Sequence, residues 1–147
     1  MISVWLVLSL VHLFGLAFGV GAATVKITLL LKSNSNPEFV PTYLQVMRPI
    51  TRIIILGLAL LTLSGIGWIL LGTSFTPLFI VKIILVFAVW VLGPIIDNVM
   101  EPAFKKLAPQ PGTAPTPDFL RAQKRLLVFE ILATLLFYII IVMGVLL

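Results

Sequence analysis

Four long apolar segments constrain the fold of this chain more than any other feature of its sequence. They run from about Ser3 to Leu31, from Arg48 to Leu71, from Pro77 to Asn98 and from Phe119 to Leu147, the last entering lipid only after Leu126. A helix needs about 20 apolar residues to cross the hydrocarbon core. The segments also lack the alternating pattern of a barrel wall. The sequence therefore predicts an all-α fold, a four-transmembrane-helix antiparallel bundle that forms a single integral membrane domain over residues 1–147.

Composition supports the membrane assignment and excludes several kinds of site. Hydrophobic residues make up 61% of the chain and charged residues 10%, whereas a soluble domain is about half apolar and a quarter charged. Because the chain has no cysteine and one histidine, a single subunit cannot hold a thiolate site or a multi-histidine metal site. The sequence also lacks a phosphate-binding loop, a dinucleotide fingerprint and a nucleophile elbow.

The net charge of +5 reflects membrane topology rather than binding to nucleic acid. The basic residues flank the apolar segments in the first and third loops: Lys32, Arg48, Arg52, Lys105, Lys106, Arg121, Lys124 and Arg125. The second loop and both termini carry no lysine or arginine. By the positive-inside rule, loops one and three are cytoplasmic and both termini are outside. We therefore expect the lipid bilayer, and not nucleic acid, as the partner of this multi-pass protein, with the bacterial inner membrane as its location.

The connections between the segments differ in length and composition. The short loop "GTSFTP" predicts a tight antiparallel hairpin between the second and third segments. The third connection begins with a proline-rich cytoplasmic tether over about residues 105–117, too poor in apolar residues to form a core. Thr116 then fits the N-cap of the fourth helix, Pro117 its first position and Asp118 its positive end.

Ionisable residues within the apolar segments fall into an inner and an outer group. Lys26, Arg52, Asp97 and Glu130 lie near the cytoplasmic ends. Because unpaired charges in lipid cost about 2.5–3.5 kcal/mol each, we expect Lys26 or Arg52 to pair with Asp97 or Glu130. If Lys26 mainly serves the cytoplasmic interface of the membrane, the protein should tolerate arginine in its place.

The outer group holds His12 and Lys82 and no acid. His12 lies roughly 13 Å from the outer end of the first segment at 1.5 Å per residue. It shares a helix face with Gly15 and Gly19, and such small residues admit either another helix or a flat ligand. The His12 ring could bond to a carbonyl or hydroxyl of a neighbouring helix, ligate a cofactor or transfer a proton. Lys82 could extend to the outer interface or meet an anion inside the bundle.

Two further helix faces carry polar residues. In the second segment, Gly57, Ser64 and Trp68 share a face different from that of Arg48 and Arg52. In the fourth segment, one face carries Glu130, Thr134, Phe137 and Ile141. Pro94 predicts a kink in the third segment.

The layout resembles the superfamily of small four-helix membrane proteins that includes the DUF2269 family, CopD-like copper-resistance domains and HemJ-type protoporphyrinogen oxidases. The resemblance rests on His12 followed by small residues, on "RPITRIIILGLALLTLSGIGW", and on Lys82 within "TPLFIVKIILVF". It covers most of the chain. In the HemJ-type branch the corresponding histidine and lysine are the functional pair, associated with haem b and with oxidation of the porphyrinogen. The chain has "GLAFGVGAATVK" where that branch has an aromatic-rich segment, so the DUF2269 family is the closer match.

The resemblance implies a tetrapyrrole site, for haem b or a related pigment, in which His12 ligates the metal. His12, Lys82, Gly15 and Gly19 are then the cofactor-binding residues, and a redox function resembling protoporphyrinogen oxidation is implied. Two other functions remain open. The chain could be a structural or accessory subunit, in a homo-oligomer or a larger membrane complex, without a cofactor of its own. Copper handling is the third, although only methionines accompany His12 as soft ligands.

Overall fold

The computed structural model describes residues 3–146, and all the regular structure within them is helical. The elements are α1 (Val4–Ser35), a short 3₁₀ helix (Pro37–Phe39), α2 (Val40–Leu70), α3 (Pro77–Ile95), a π-helical turn (Ile96–Met100), α4 (Glu101–Leu107) and α5 (Pro117–Leu146). Residues 1–2 of the predicted domain, and Leu147 at the end of the predicted fourth segment, lie outside the described residues.

Four helical segments are long and apolar enough to cross a membrane, which confirms this part of the prediction. They span Val4–Ser35, Pro37–Leu70, Pro77–Leu107 and Pro117–Leu146. Large apolar side chains cover their outer surfaces, including Leu13, Leu63 and Phe87. A surface of this kind is compatible with contact to lipid and would be costly in water.

The helices extend beyond the apolar segments on which the sequence prediction was based. Helix α2 begins at Val40 rather than near Arg48, and the third membrane segment continues to Leu107 instead of ending near Asn98. A helix satisfies its own backbone hydrogen bonds, so it can continue where the side chains become polar. The proline-rich tether is therefore shorter than predicted, with residues 108–116 outside helices. The predicted cap is confirmed, because Thr116 Oγ1 accepts a hydrogen bond from the Phe119 backbone N–H at 3.2 Å.

The packing order of the helices differs from the order expected from the loops. Helix α1 packs on α2 and α5, and α5 packs on α3, whereas α2 and α3 scarcely approach each other. The predicted tight hairpin between α2 and α3 is therefore wrong. A connection of six residues, with Gly72 at a φ of 91°, lets the two helices diverge. The residues that permit close approach lie instead between α1 and α2.

Glycines bring α1 and α2 into backbone contact. A Cβ atom at Gly57 would overlap the Gly19 backbone nitrogen and lie 2.8 Å from the Gly15 carbonyl oxygen. A Cβ atom at Gly15 would lie 2.9 Å from the backbone nitrogen of Leu61. Of the two uses considered for this glycine face, helix packing is the one that the structure shows.

We expect Gly57→Ala to destabilise the protein, because the added methyl group cannot fit against Gly19 without separating the helices. Overpacking of this kind costs about 1–3 kcal/mol. Gly21→Ala is the matched control, since a Cβ atom at Gly21 meets nothing within 4 Å and alanine favours the helix. Thermal unfolding in detergent micelles should show a lower midpoint for Gly57→Ala only, and equal midpoints would contradict the packing argument.

Candidate functional site

His12 and Lys82 line the same cavity, which we call the outer cavity. It has a volume of about 370 Å³ and lies where α1, α2, α3 and α5 meet. That volume is within the range of about 300–1,000 Å³ that ligand pockets occupy. Apart from His12, Lys82, Thr62 and Trp68, its walls are aliphatic, phenylalanine or glycine residues. The two residues that the sequence singled out thus face one largely apolar space.

The His12 ring forms a hydrogen bond with a serine of α2. His12 Nδ1 lies 2.8 Å from Ser64 Oγ, and Ser64 Oγ donates to the Leu61 carbonyl oxygen at 3.0 Å. A serine hydroxyl has one hydrogen; when Ser64 gives it to Leu61, Ser64 Oγ accepts from His12 and the ring proton is on Nδ1. Nε2 then keeps its lone pair, which is the form in which a neutral imidazole binds a metal.

Trp68 restricts the orientation of the same ring. Its ring centroid lies 4.7 Å from that of His12, at an interplanar angle of 44°. Trp68 Nε1 is buried without a hydrogen-bond partner among the described residues. The sequence pattern places Ser64 and Trp68 on one face of α2 but does not connect that face with His12.

Lys82 brings a positive charge to the cavity. It is half-buried, and within residues 3–146 its ammonium group makes neither an ion pair nor a hydrogen bond. Lys82 Nζ lies beside Gly144 of α5. A Cβ atom added at Gly144 would lie 3.1 Å from this nitrogen. An ammonium group in such a place requires an anion, a carbonyl oxygen or water. Glycine at position 144 leaves room for it.

One hydrogen bond connects α2 and α3 along the cavity wall. Trp90 Nε1 donates to Thr62 Oγ1 at 3.0 Å, and Thr62 Oγ1 donates to the Leu58 carbonyl oxygen at 2.8 Å. This bond links the two helices beside the outer cavity.

Gly15 and Gly19, which were expected to bind the cofactor, do not line the outer cavity. They are buried against Gly57, on the side of α1 that meets α2. The structure thus places both residues in the contact between α1 and α2. A helix face about 80° wide can serve two neighbours, and periodicity alone does not separate the part that meets a helix from the part that meets a cavity.

A second site lies at the inner ends of the helices. The ammonium group of Lys26 is within 2.5 Å of Glu101, 2.7 Å of Glu130 and 3.8 Å of Asp97. It also donates to Thr51 Oγ1 at 2.8 Å. We call Lys26 and the three acids the Lys26 cluster. The prediction that Lys26 pairs with Asp97 or Glu130 is confirmed.

The sequence prediction of this cluster was incomplete at one residue. Glu101 was missed because the third segment was ended near Asn98, although its four-residue spacing from Asp97 was visible. Arg52, the alternative base in that prediction, is exposed. Pro94 lies inside α3, and the π-helical turn follows it. There the Glu101 backbone N–H bonds to the Ile96 carbonyl oxygen, and π turns of this kind are frequent at functional sites.

Comparisons with known protein families, with curated proteins and with solved structures find no match for this chain. Within the described part of the chain, residues 3–146, no group of three or more histidine, aspartate or glutamate side chains is arranged to hold a metal ion. A single histidine that ligates a metallated macrocycle does not require such a group.

We expect Lys26→Met to destabilise the protein by about 3–5 kcal/mol, because it leaves buried carboxylates without their cation. Arg52→Met is the control, since Arg52 is exposed and outside the cluster. The measurement is the free energy of unfolding in mixed micelles. Comparable losses for the two variants would refute the pairing argument.

Lys26→Arg should also be destabilising, contrary to the sequence-based expectation. Lys26 is 2% exposed, so the larger guanidinium must displace Thr51 or one of the acids, and such overpacking costs about 1–3 kcal/mol. A midpoint of thermal unfolding equal to that of the wild type would restore the original expectation.

Proposed function

We propose that this protein binds a flat, membrane-soluble, anionic ligand of the tetrapyrrole class, haem b or a related pigment, in the outer cavity. The observation that carries the proposal is the pairing of an imidazole with an ammonium group that has no partner among residues 3–146, in one apolar space. His12 and Lys82 line that space together. The proposal includes membership in the DUF2269, CopD-like and HemJ-type superfamily.

The side chains of the cavity fit such a ligand in three respects. The His12–Ser64 hydrogen bond leaves Nε2 free for axial ligation, and hydrogen bonds to the other ring nitrogen are characteristic of ligating histidines. Lys82 offers a positive charge to a propionate group. The apolar walls suit a macrocycle, which is itself largely apolar.

Each residue then has a distinct task. His12 would hold the metal, Ser64 would maintain the His12 tautomer, Trp68 would orient the ring and Lys82 would bind a carboxylate of the ligand. A bound haem would supply an iron centre capable of electron transfer. Gly15 and Gly19 have no part in this site, because they pack α1 on α2.

Copper handling is less well supported by the cavity. Its lining contains one histidine and no methionine, whereas copper sites in proteins draw on several histidine, cysteine or methionine ligands. The accessory-subunit function needs no ligand at all, so it becomes one outcome of the haem-binding test.

The proposal also covers orientation. Each of the four segments would cross the membrane of a bacterial cell in turn, so that successive segments run antiparallel. The lysine and arginine residues of the first and third loops then face the cytoplasm, and both termini face outward. The outer cavity would open in the half of the bilayer remote from the cytoplasm, and the Lys26 cluster would lie in the cytoplasmic half.

Haem titration of the purified protein tests the ligand assignment. The wild type should show a saturable shift of the Soret band, and His12→Ala should lose the histidine-ligated spectrum. Ser64→Ala should weaken binding by about 10–100-fold, as loss of a partner to a ligating histidine does. Lys82→Ala should weaken it by about 10–150-fold without changing the spectrum, since a charged hydrogen bond contributes about 1.5–3 kcal/mol.

The control for Lys82→Ala is Lys32→Ala, which removes an equal charge at an exposed position and should bind haem like the wild type. Unchanged spectra and affinity in His12→Ala would refute the assignment of the ligand. If the wild-type protein itself does not shift the Soret band, the proposal fails and the accessory-subunit function stands.

Cysteine labelling tests the orientation, because the chain has no cysteine of its own. The two substitutions are Ser74→Cys and Ala114→Cys. Position 74 lies between α2 and α3, position 114 lies between α4 and α5, and both are exposed. A membrane-impermeant maleimide should label Ser74→Cys in intact spheroplasts and Ala114→Cys only after lysis. The reverse pattern would invert the topology.

A further inference from the structure

The charges of the Lys26 cluster do not balance. Three carboxyl groups surround one ammonium group, so full ionisation leaves two negative charges within a membrane-spanning bundle. Thr51, which accepts from Lys26, and Tyr43, within electrostatic reach of the acids, are neutral. Uncompensated buried charge costs several kcal/mol per group. The cluster must therefore acquire positive charge.

The three acids differ in how well their charge is compensated. Glu101 forms the shortest ion pair with Lys26, at 2.5 Å, and it also accepts a long hydrogen bond from Thr51 Oγ1 at 3.5 Å. The Asp97 side chain is 23% exposed, so it can be hydrated. The Glu130 side chain is 5% exposed. Its Oε1 lies 2.7 Å from Lys26 Nζ but has no hydrogen-bond partner among the described residues, so Glu130 combines deep burial with an unpaired carboxyl oxygen.

A separate cavity, here called the inner cavity, adjoins Glu130. It has a volume of about 130 Å³ and is lined by Lys26, Asp97, Glu130 and Thr134, among others. At about 30 Å³ for each water molecule, it has room for about four. Thr134 is 7% exposed, and its Oγ1 has no hydrogen-bond partner among residues 3–146. A buried hydroxyl without a partner requires one, and this one lies one helical turn from Glu130.

These observations point to a proton rather than a metal ion as the positive charge. Lys26 Nζ already occupies the centre of the three carboxyl groups, and within the described residues no cluster is arranged to hold a metal. A proton needs no coordination geometry, and a protonated carboxyl group can donate a hydrogen bond to a hydroxyl or water in the cavity.

We propose that Glu130 and Thr134, beside Lys26, form an exchangeable proton-binding site, with the inner cavity and Asp97 as its access to the aqueous phase. The groups that face it are Lys26 from α1, Thr51 and Tyr43 from α2, Asp97 from the π-helical turn and Glu101 from α4. The site binds a proton on one Glu130 oxygen and releases it through Asp97, the acid with the greatest exposure. This proposal is independent of the ligand in the outer cavity.

Infrared difference spectroscopy of the reconstituted protein, without added haem, tests the proposal. The wild type should show the C=O stretch of a protonated carboxyl group, which shifts in D₂O and is lost when the pH is raised. Glu130→Gln should remove this band. Glu38→Gln, which changes an exposed acid, should retain it, and circular dichroism should show the same helix content in both variants.

Two further variants keep the test decisive if Glu130→Gln does not fold. Thr134→Val should move the frequency of the band, because it removes the hydroxyl while preserving the shape of the side chain, and Glu130→Asp should move it as well. A band that is unaffected by all Glu130 and Thr134 variants, that does not exchange in D₂O or that does not titrate would overturn the proposal. So would a titration midpoint that moves when sodium replaces N-methylglucamine, because a metal cation would then be the competing occupant.

Discussion

The contact between the Lys26 ammonium and three carboxyl groups is the constraint on which the inner half of the molecule depends. It joins α1 to the π-helical turn, to α4 and to α5 at a single atom, Nζ. A buried ion pair adds little stability compared with apolar packing, but removal of one partner is costly. The cluster therefore holds the register of these helices, because any shift along an axis would separate a charge from its partner.

In the outer half, the arrangement depends on close packing at one side and separation at the other. Gly15, Gly19 and Gly57 let α1 and α2 meet at backbone distance, while α2 and α3 remain apart and enclose both cavities. Leu58 and Phe137 line the two cavities in common. They form the apolar partition between the space near His12 and the space near Glu130, so the two sites are adjacent along the bundle but separate.

Much of the site was visible in the sequence as a set of depths and faces. His12 and Lys82 were expected at similar depth, and Lys26 was expected near Asp97 and Glu130, because the positions of polar residues in long apolar helices are readable from spacing alone. Glu101 and Ser64 were not assigned. Glu101 lies past a proline and a π turn, which change the register, and Ser64 becomes a partner of His12 only through the packing of α1 on α2.

The sequence by itself determined that this chain forms four helices able to cross a membrane, because no other arrangement satisfies the backbone of so many consecutive apolar residues in lipid. It also determined which residues carry charge and at what depth. Only the tertiary structure decided which helices are neighbours, that the glycine face meets α2, and that Ser64 is the partner of the His12 ring. Those outcomes depend on side-chain packing between residues far apart in the chain, and helical periodicity carries no information about the partner that each face will meet.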